Sequence, residues 1–256
     1  MQTTGNTILI TGGGSGIGRA LAEAFQAEGN HVVIAGRRKE LLDEVAAANT
    51  GMRTAVLDIE HADAIQRFAE QITRDHPALN VVVHNAGIMR TEQLRDAQTD
   101  DAEATIATNL LGPIRLNAAL LPHLLGQPHA TVMTVSSGLA FVPLALNPTY
   151  CATKAAIHSY TQSLRYQLKD TSVQVLELVP PYVQTGLTGS RQANDPMAMP
   201  LNEFIDEVMD ILRTSPDATE IQVGRVKPQR TAGSSGNYDA FFKRFNDAMA
   251  AARAGH

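Results

Sequence analysis

Thr11-Gly12-Gly13-Gly14-Ser15-Gly16-Ile17-Gly18 follows directly on the apolar run Thr7-Ile8-Leu9-Ile10 and leads into a helical pattern with Leu21, Ala22 and Phe25 on one face. A diphosphate needs backbone N–H groups at close range and a helix N-terminus aimed at its charge, and glycines permit both. A merely flexible turn does not call for five glycines at a strand-to-helix junction. The spacing departs from the common G-x-G-x-x-G, which no glycine triplet here obeys.

Outward from this turn the chain alternates short β-branched runs with longer helical stretches. Strands are predicted at residues 7–10, 31–35, 54–57, 80–83, 130–135, 173–178 and 221–223. Their near-continuous apolar character points to burial on both faces, the habit of parallel sheets covered by helices. Ile65, Phe68, Ala69 and Ile72 trace one apolar helical face among the connections. The β–α alternation predicts a single-domain α/β chain over residues 1–256, a doubly wound Rossmann fold. Its seven-stranded parallel sheet would carry helices on both faces, with the functional crevice beyond the strands' carboxyl ends. A mobile substrate loop is expected around residues 184–213, most irregular at 184–200, and a helical tail around 238–253.

Composition narrows the function. Hydrophobic residues make up 44% and charged residues 18% of the 256, enough apolar material for a large core. The net charge of −5 and the lack of a Lys/Arg stripe argue against nucleic acid as a partner. Met1-Gln2-Thr3-Thr4-Gly5-Asn6 has no basic, apolar leader pattern, and no run approaches the roughly 18 apolar residues of a membrane span. The single Cys151 excludes an internal disulfide, and no zinc-ligand spacing occurs; no metal is expected. A cytoplasmic protein is the expectation.

The glycine turn resembles the T-G-x-x-x-G-x-G motif of the short-chain dehydrogenase/reductase family, and further marks run from about residue 7 to about residue 225. His84-Asn85-Ala86-Gly87 is similar to the family's N-N-A-G, with His84 replacing the first Asn. Thr108-Asn109-Leu110-Leu111-Gly112 is similar to its N-x-x-G helix motif, and Tyr150-Cys151-Ala152-Thr153-Lys154 matches Y-x-x-x-K. Ser137 stands thirteen positions before Tyr150, the interval of the family's catalytic serine.

Tyr150 and Lys154 are four apart and so share a helix face. A phenol with a pKa near 10 is a poor acid or base at neutral pH, and a nearby ammonium lowers that value by stabilising the phenolate. The resemblance implies a catalytic set of Asn109, Ser137, Tyr150 and Lys154. Tyr150 would transfer the proton. Lys154 would tune it and bind the nicotinamide ribose. Ser137 would hold the substrate oxygen, and Asn109 a water that links Lys154 to solvent. The implied dinucleotide contacts are Gly12, Gly14, Ser15, Gly16, Ile17, Gly18, Arg37, Arg38, Asp58, Ile59, Asn85, Ala86, Gly87, Tyr150, Lys154, Pro180, Val183 and Thr185. Hydride transfer from the pro-S face of the nicotinamide and a homodimer or homotetramer are likewise implied.

The second strand speaks to the cofactor. Where NAD enzymes place a ribose-binding carboxylate stands Gly36, followed by Arg37 and Arg38, which suit a 2′-phosphate. NADP(H) is expected over NAD(H). After strand six, Pro180-Pro181 replaces the family's P-G, removing one N–H. The apolar stretch Gly138–Leu144 and Leu187, Met197 and Met199 suit a hydrophobic carbonyl or alcohol substrate, and equally a core or subunit contact. The reading is a carbonyl reductase or alcohol dehydrogenase. Its rival is a non-catalytic dinucleotide-binding sensor, a class that typically loses the Tyr or the Lys. An epimerase or dehydratase on the related longer fold, which uses the same Tyr and Lys, would need more chain after strand six.

Overall fold

The computed structural model describes residues 1–254. Seven strands, β1 (Thr7–Thr11), β2 (His31–Gly36), β3 (Arg53–Val56), β4 (Leu79–His84), β5 (Ala130–Val135), β6 (Val173–Val179) and β7 (Glu220–Gln222), form one parallel sheet in the order β3-β2-β1-β4-β5-β6-β7. The connecting helices are α1 (Gly16–Ala27), α2 (Lys39–Ala48), α3 (Ala62–Asp75), α4 (Asp100–Ile106), α5 (Gly112–Leu125) and α6 (Pro148–Gln167). They continue with α7 (Ser190–Ala193), α8 (Leu201–Thr214), α9 (Lys227–Thr231) and α10 (Tyr238–Ala254). The strand order reverses between β1 and β4, which opens a crevice at their carboxyl ends.

Two cores follow from strands buried on both faces. On one side Ile8, Ile10, Val81 and Val83 pack with Leu21 and Phe25 of α1, Leu42 of α2 and Phe204 and Val208 of α8. On the other, Leu9, Val82 and Val132 pack with Phe68 of α3, Leu116 and Leu120 of α5 and Leu164 of α6. The alternation along each strand thus feeds both layers, as a doubly wound sheet requires. No helix among the described residues is long and apolar enough to cross a membrane.

The segment after β6 is more ordered than its composition suggests. Val183 and Met199 form a parallel bridge, and the buried Gln192 donates from Nε2 to the Val183 carbonyl at 2.9 Å and to Thr185 Oγ1 at 3.1 Å. Residues 201–214 are α8, held by Phe204, Ile205, Val208, Met209 and Leu212. The expected loop therefore ends at residue 200, because an apolar stripe at helical spacing overrides the irregular run before it. The expected tail is realised as α10; residues 255–256 lie outside the described residues.

The glycine turn is fixed by contact as much as by freedom. Gly12 has φ +70°, and a side chain there would meet Ala86 Cα at 2.9 Å. A Cβ on Gly18 would lie 2.3 Å from Asn85 Nδ2 and 2.4 Å from the Gly12 carbonyl oxygen. Backbone cannot yield cheaply at such range, so Gly18→Ala should cost about 1–3 kcal/mol of unfolding free energy. Urea denaturation checks this; an unchanged midpoint would contradict the packing.

Candidate active site

Thr11, Asn85 and the turn form a knot at the crevice floor. The Thr11 hydroxyl accepts the Asn85 and Ala86 N–H groups, each at 3.1 Å, and Asn85 Nδ2 donates to the Thr11 carbonyl at 2.9 Å. This ties the β1 turn to the β4 end. Ser15 caps α1 with an extended backbone (φ −163°) and makes no side-chain cap bond, and the first turn of α1 holds no carboxylate. The N–H groups of that turn have no intrahelical partner and point at the crevice with the positive end of the helix dipole.

The four implied catalytic residues come together. Ser137 ends the β5 segment in extended geometry and accepts the Leu139 N–H at 3.1 Å. Tyr150 and Lys154 lie buried on α6, with Lys154 Nζ 5.5 Å from the Tyr150 ring centroid. Lys154 donates to the Val135 carbonyl at 2.7 Å. Asn109 sits in a wide π-helical turn, Ala107–Leu111, between α4 and α5. Its side chain accepts the Ile88 N–H at 2.8 Å and donates to the Ile88 carbonyl at 2.8 Å and to Thr153 Oγ1 at 3.3 Å. Such single wide turns mark functional positions in helices.

Electrostatics here differ from the expectation of a lowered phenol. Burial pushes Tyr150 up, the neighbouring Cys151 adds to that, and Ser137 offsets it only in part. The Lys154 ammonium is engaged by Val135 and does not overcome the desolvation. Burial in turn lowers Lys154 to about 8, against the pull of Glu177, which raises it. The Cys151 thiol, pushed up to about 11 chiefly by burial, is no nucleophile at neutral pH.

A family profile described as short chain dehydrogenase matches residues 6–196. The chain belongs to the short-chain dehydrogenase family. DltE of Bacillus subtilis (strain 168), an uncharacterized oxidoreductase, is 39% identical over 254 residues, covering 96% of this chain and 98% of that relative. A short-chain dehydrogenase from Burkholderia cenocepacia, solved with NADP, superposes with a TM-score of 0.81 at 24% identity over 95% of this chain and 98% of that one. One from Burkholderia phymatum, solved with NAD, gives 0.80 at 19% identity over 93% and 96%. The fold is thus that of the short-chain dehydrogenases.

Within this short-chain dehydrogenase the two arginines after β2 part company. Arg37 pairs with Glu60 at 2.8 Å, and Glu60 also accepts the Thr108 hydroxyl at 2.9 Å. Arg38 instead reaches Ser15 Oγ at 3.4 Å, at the mouth of the glycine turn. Asp58 accepts the Glu60 N–H at 3.1 Å, and Ile59 packs tightly against Gly112. Pro180 accepts the Gly138 N–H at 2.9 Å, Val183 is buried, and Thr185 lies 3.5 Å from where a Gly16 Cβ would stand. His84 is buried; burial lowers it to about 4, against the Asn117 side chain, which raises it.

The sequence reading missed the roof. Leu144, Tyr150 and Cys151 form a separate apolar cluster with Met89, Leu139, Leu146 and, from α10, Phe245 and Met249. Asn246 clamps α10 in place, donating to the Pro143 carbonyl at 3.1 Å and accepting the Ala145 N–H at 2.7 Å. The i, i+4 spacing of Phe245 and Met249 was the available signal; its partner over a hundred residues away was not.

Lys154 titrates at about 8 in the fold against 10.5 when solvated. Between those values the unfolded chain binds the extra proton, so unfolding free energy rises with pH across that window. Wild type should therefore gain stability relative to Lys154→Met as pH climbs from about 8 to about 10. Denaturant titrations at several pH values check it; a flat or falling difference would contradict the desolvation of this ammonium.

Proposed function

We propose that this short-chain dehydrogenase interconverts a hydrophobic ketone or aldehyde and the corresponding alcohol with NADP(H), Tyr150 passing the proton. The observation that carries the reading is the placement of the Tyr150 phenol: buried in an apolar cluster, beside Ser137, with Lys154 one turn along the same helix. The glycine turn fits a dinucleotide, since the first turn of α1 offers free N–H groups and no acidic side chain competes there. NADP(H), when bound, supplies or accepts the hydride.

In the reducing direction the hydride adds to the carbonyl carbon and the carbonyl oxygen takes the Tyr150 proton. Ser137 donates its hydroxyl to that oxygen as charge gathers on it. Lys154 steadies the resulting phenolate until it is reprotonated, with Asn109 positioning the path to solvent. A phenol raised by burial is protonated at neutral pH, which suits a proton donor and favours reduction. Met89, Leu139, Phe245 and Met249 line the side of Tyr150 and favour an apolar substrate body. The exposed Ile106 and Leu111, at 39% and 37%, and Tyr166 on α6 support a homodimer or homotetramer formed through the helices around Asn109 and Tyr150. A cytoplasmic enzyme with no metal completes the reading. Retention of both Tyr150 and Lys154 speaks against a sensor without turnover.

Tyr150→Phe should bind NADPH as wild type does and lose turnover of a panel carbonyl by about two orders of magnitude or more, followed at the nicotinamide absorbance. Near wild-type kcat in that variant would remove the reading.

Arg38 now carries the cofactor preference more directly than Arg37, because Glu60 holds Arg37. Arg38→Ala should weaken NADPH binding by roughly tenfold to a hundredfold, the loss of one charge-assisted contact. Arg37→Ala should weaken it less, and NADH binding should stay within about twofold in both. Fluorescence titration checks this; an equal loss for both cofactors would contradict it.

A further inference from the structure

Behind Ser137 and Lys154 lies a polar cluster that the reaction as described does not use. Glu177, in the middle of β6, has 0% of its side chain exposed. Its carboxyl oxygens accept the Ser136 hydroxyl at 2.5 Å and face His158 Nδ1 at 2.8 and 3.0 Å. A carboxylate only accepts, so His158 donates from Nδ1. His158 stands one turn beyond Lys154 on α6, making Tyr150, Lys154 and His158 a single i, i+4, i+8 stripe. The Phe141 ring closes the cluster edge-on to His158 at 4.7 Å, and the Arg230 guanidinium lies 4.6 Å over that ring.

Within the cluster the side chain in ion-pair range of Glu177 is His158, at 2.8 Å. At the rim, Arg230 of α9 meets both oxygens of Glu220 on β7, at 2.8 and 3.0 Å. Glu177 and Lys154 are both buried inside; Lys154 bonds to the carbonyl of Val135, the residue before Ser136, and stands one turn before His158, so both partners of Glu177 adjoin it. The remaining groups facing this space are the Tyr150 phenol and the His158 imidazole on α6. Lys154 has one carbonyl partner, Val135, and a buried ammonium on one neutral acceptor is expensive. A metal ion explains the cluster less well. His158, Glu177 and Glu220 bring one ligand atom each within 4.8 Å, but Arg230 already neutralises Glu220 and would repel a cation.

We propose that Glu177 is a positioning residue for Lys154: its buried carboxylate, anchored by Ser136 and His158, is the counter-charge that keeps the Lys154 ammonium protonated beside Tyr150. This rests on the proposed role of Tyr150 and Lys154 in proton transfer. It accounts for a charged residue in a strand whose other residues are Val and Leu apart from Gln174. Ser136, adjacent to Ser137, is committed to holding that carboxylate, so only the second serine of the pair is left to meet substrate.

The test compares Glu177→Gln and Arg230→Gln with wild type. The first removes the negative charge without changing shape. The active form needs Lys154 protonated and is lost as pH rises, so the alkaline limb of kcat/KM should move down by about one pH unit. In cofactor-free protein, the 15N resonance of Lys154 Nζ, assigned by its absence in Lys154→Met, should show the same lowered midpoint. Arg230→Gln, at the rim, leaves Glu220 unbalanced and should move both readouts up. An unmoved Nζ midpoint in Glu177→Gln, or a downward shift in Arg230→Gln, overturns the proposal. Should Glu177→Gln not fold, Arg230→Gln decides alone, an unmoved or lowered midpoint overturning it. The Nζ titration is read without turnover, so a Tyr150→Phe variant that stayed active would remove the reaction and leave this result standing by itself.

Discussion

Lys154 carries a full charge into the interior of the sheet-and-helix sandwich, and much of the site is arranged around the cost of keeping it there. One proton goes to the Val135 carbonyl at 2.7 Å, at the last residue of β5. That bond draws α6 onto the strand whose continuation is Ser137, which sets the phenol of Tyr150 beside the serine hydroxyl. Desolvation lowers Lys154 to about 8, close enough to neutrality that a modest change in its surroundings alters its charge. Glu177 pulls it the other way, toward the charged form. The same burial that makes the lysine sensitive raises the phenol.

The dinucleotide side depends on a different constraint, the close approach of two backbones. Thr11 and Asn85 lock the turn after β1 to the end of β4, leaving no room for a side chain at Gly12 or Gly18. Rigidity there matters because the N-terminus of α1 must face the crevice with its N–H groups unpaired. From the same turn, Ser15 touches Arg38, and Thr185 packs near Gly16. The segment after β6 is stapled to this floor by Gln192, so both walls of the crevice are referenced to one turn.

Local pattern explains what could be read from sequence. The inner strands are rich in Val, Ile and Leu and buried on both faces, unlike the edge strands β3 and β7; all seven appear within two residues of their expected ends. Tyr150 and Lys154 were legible because four residues is one helical turn. What escaped were features decided by distant partners. Whether Arg37 or Arg38 faces the turn depends on Glu60, from the loop after β3. Residues 184–200 look like loose chain by their Gly, Ser and Pro content, and a single buried Gln192 makes them structured. The roof over Tyr150 comes from α10, whose apolar stripe says only that it packs on something. Glu177 left a signal that went unread: a carboxylate amid Val175, Leu176, Leu178 and Val179 must find donors or it could not be buried.

At the centre of the account is direct hydride transfer between a nicotinamide and a carbonyl carbon at the Tyr150 face of the crevice. The most direct test is reduction of the best-turned-over carbonyl with NADPH deuterated at the pro-S position of carbon 4, followed by mass spectrometry of the alcohol. One deuterium is expected, on the carbinol carbon. An alcohol without deuterium there from both the pro-S and the pro-R labelled cofactor would contradict it.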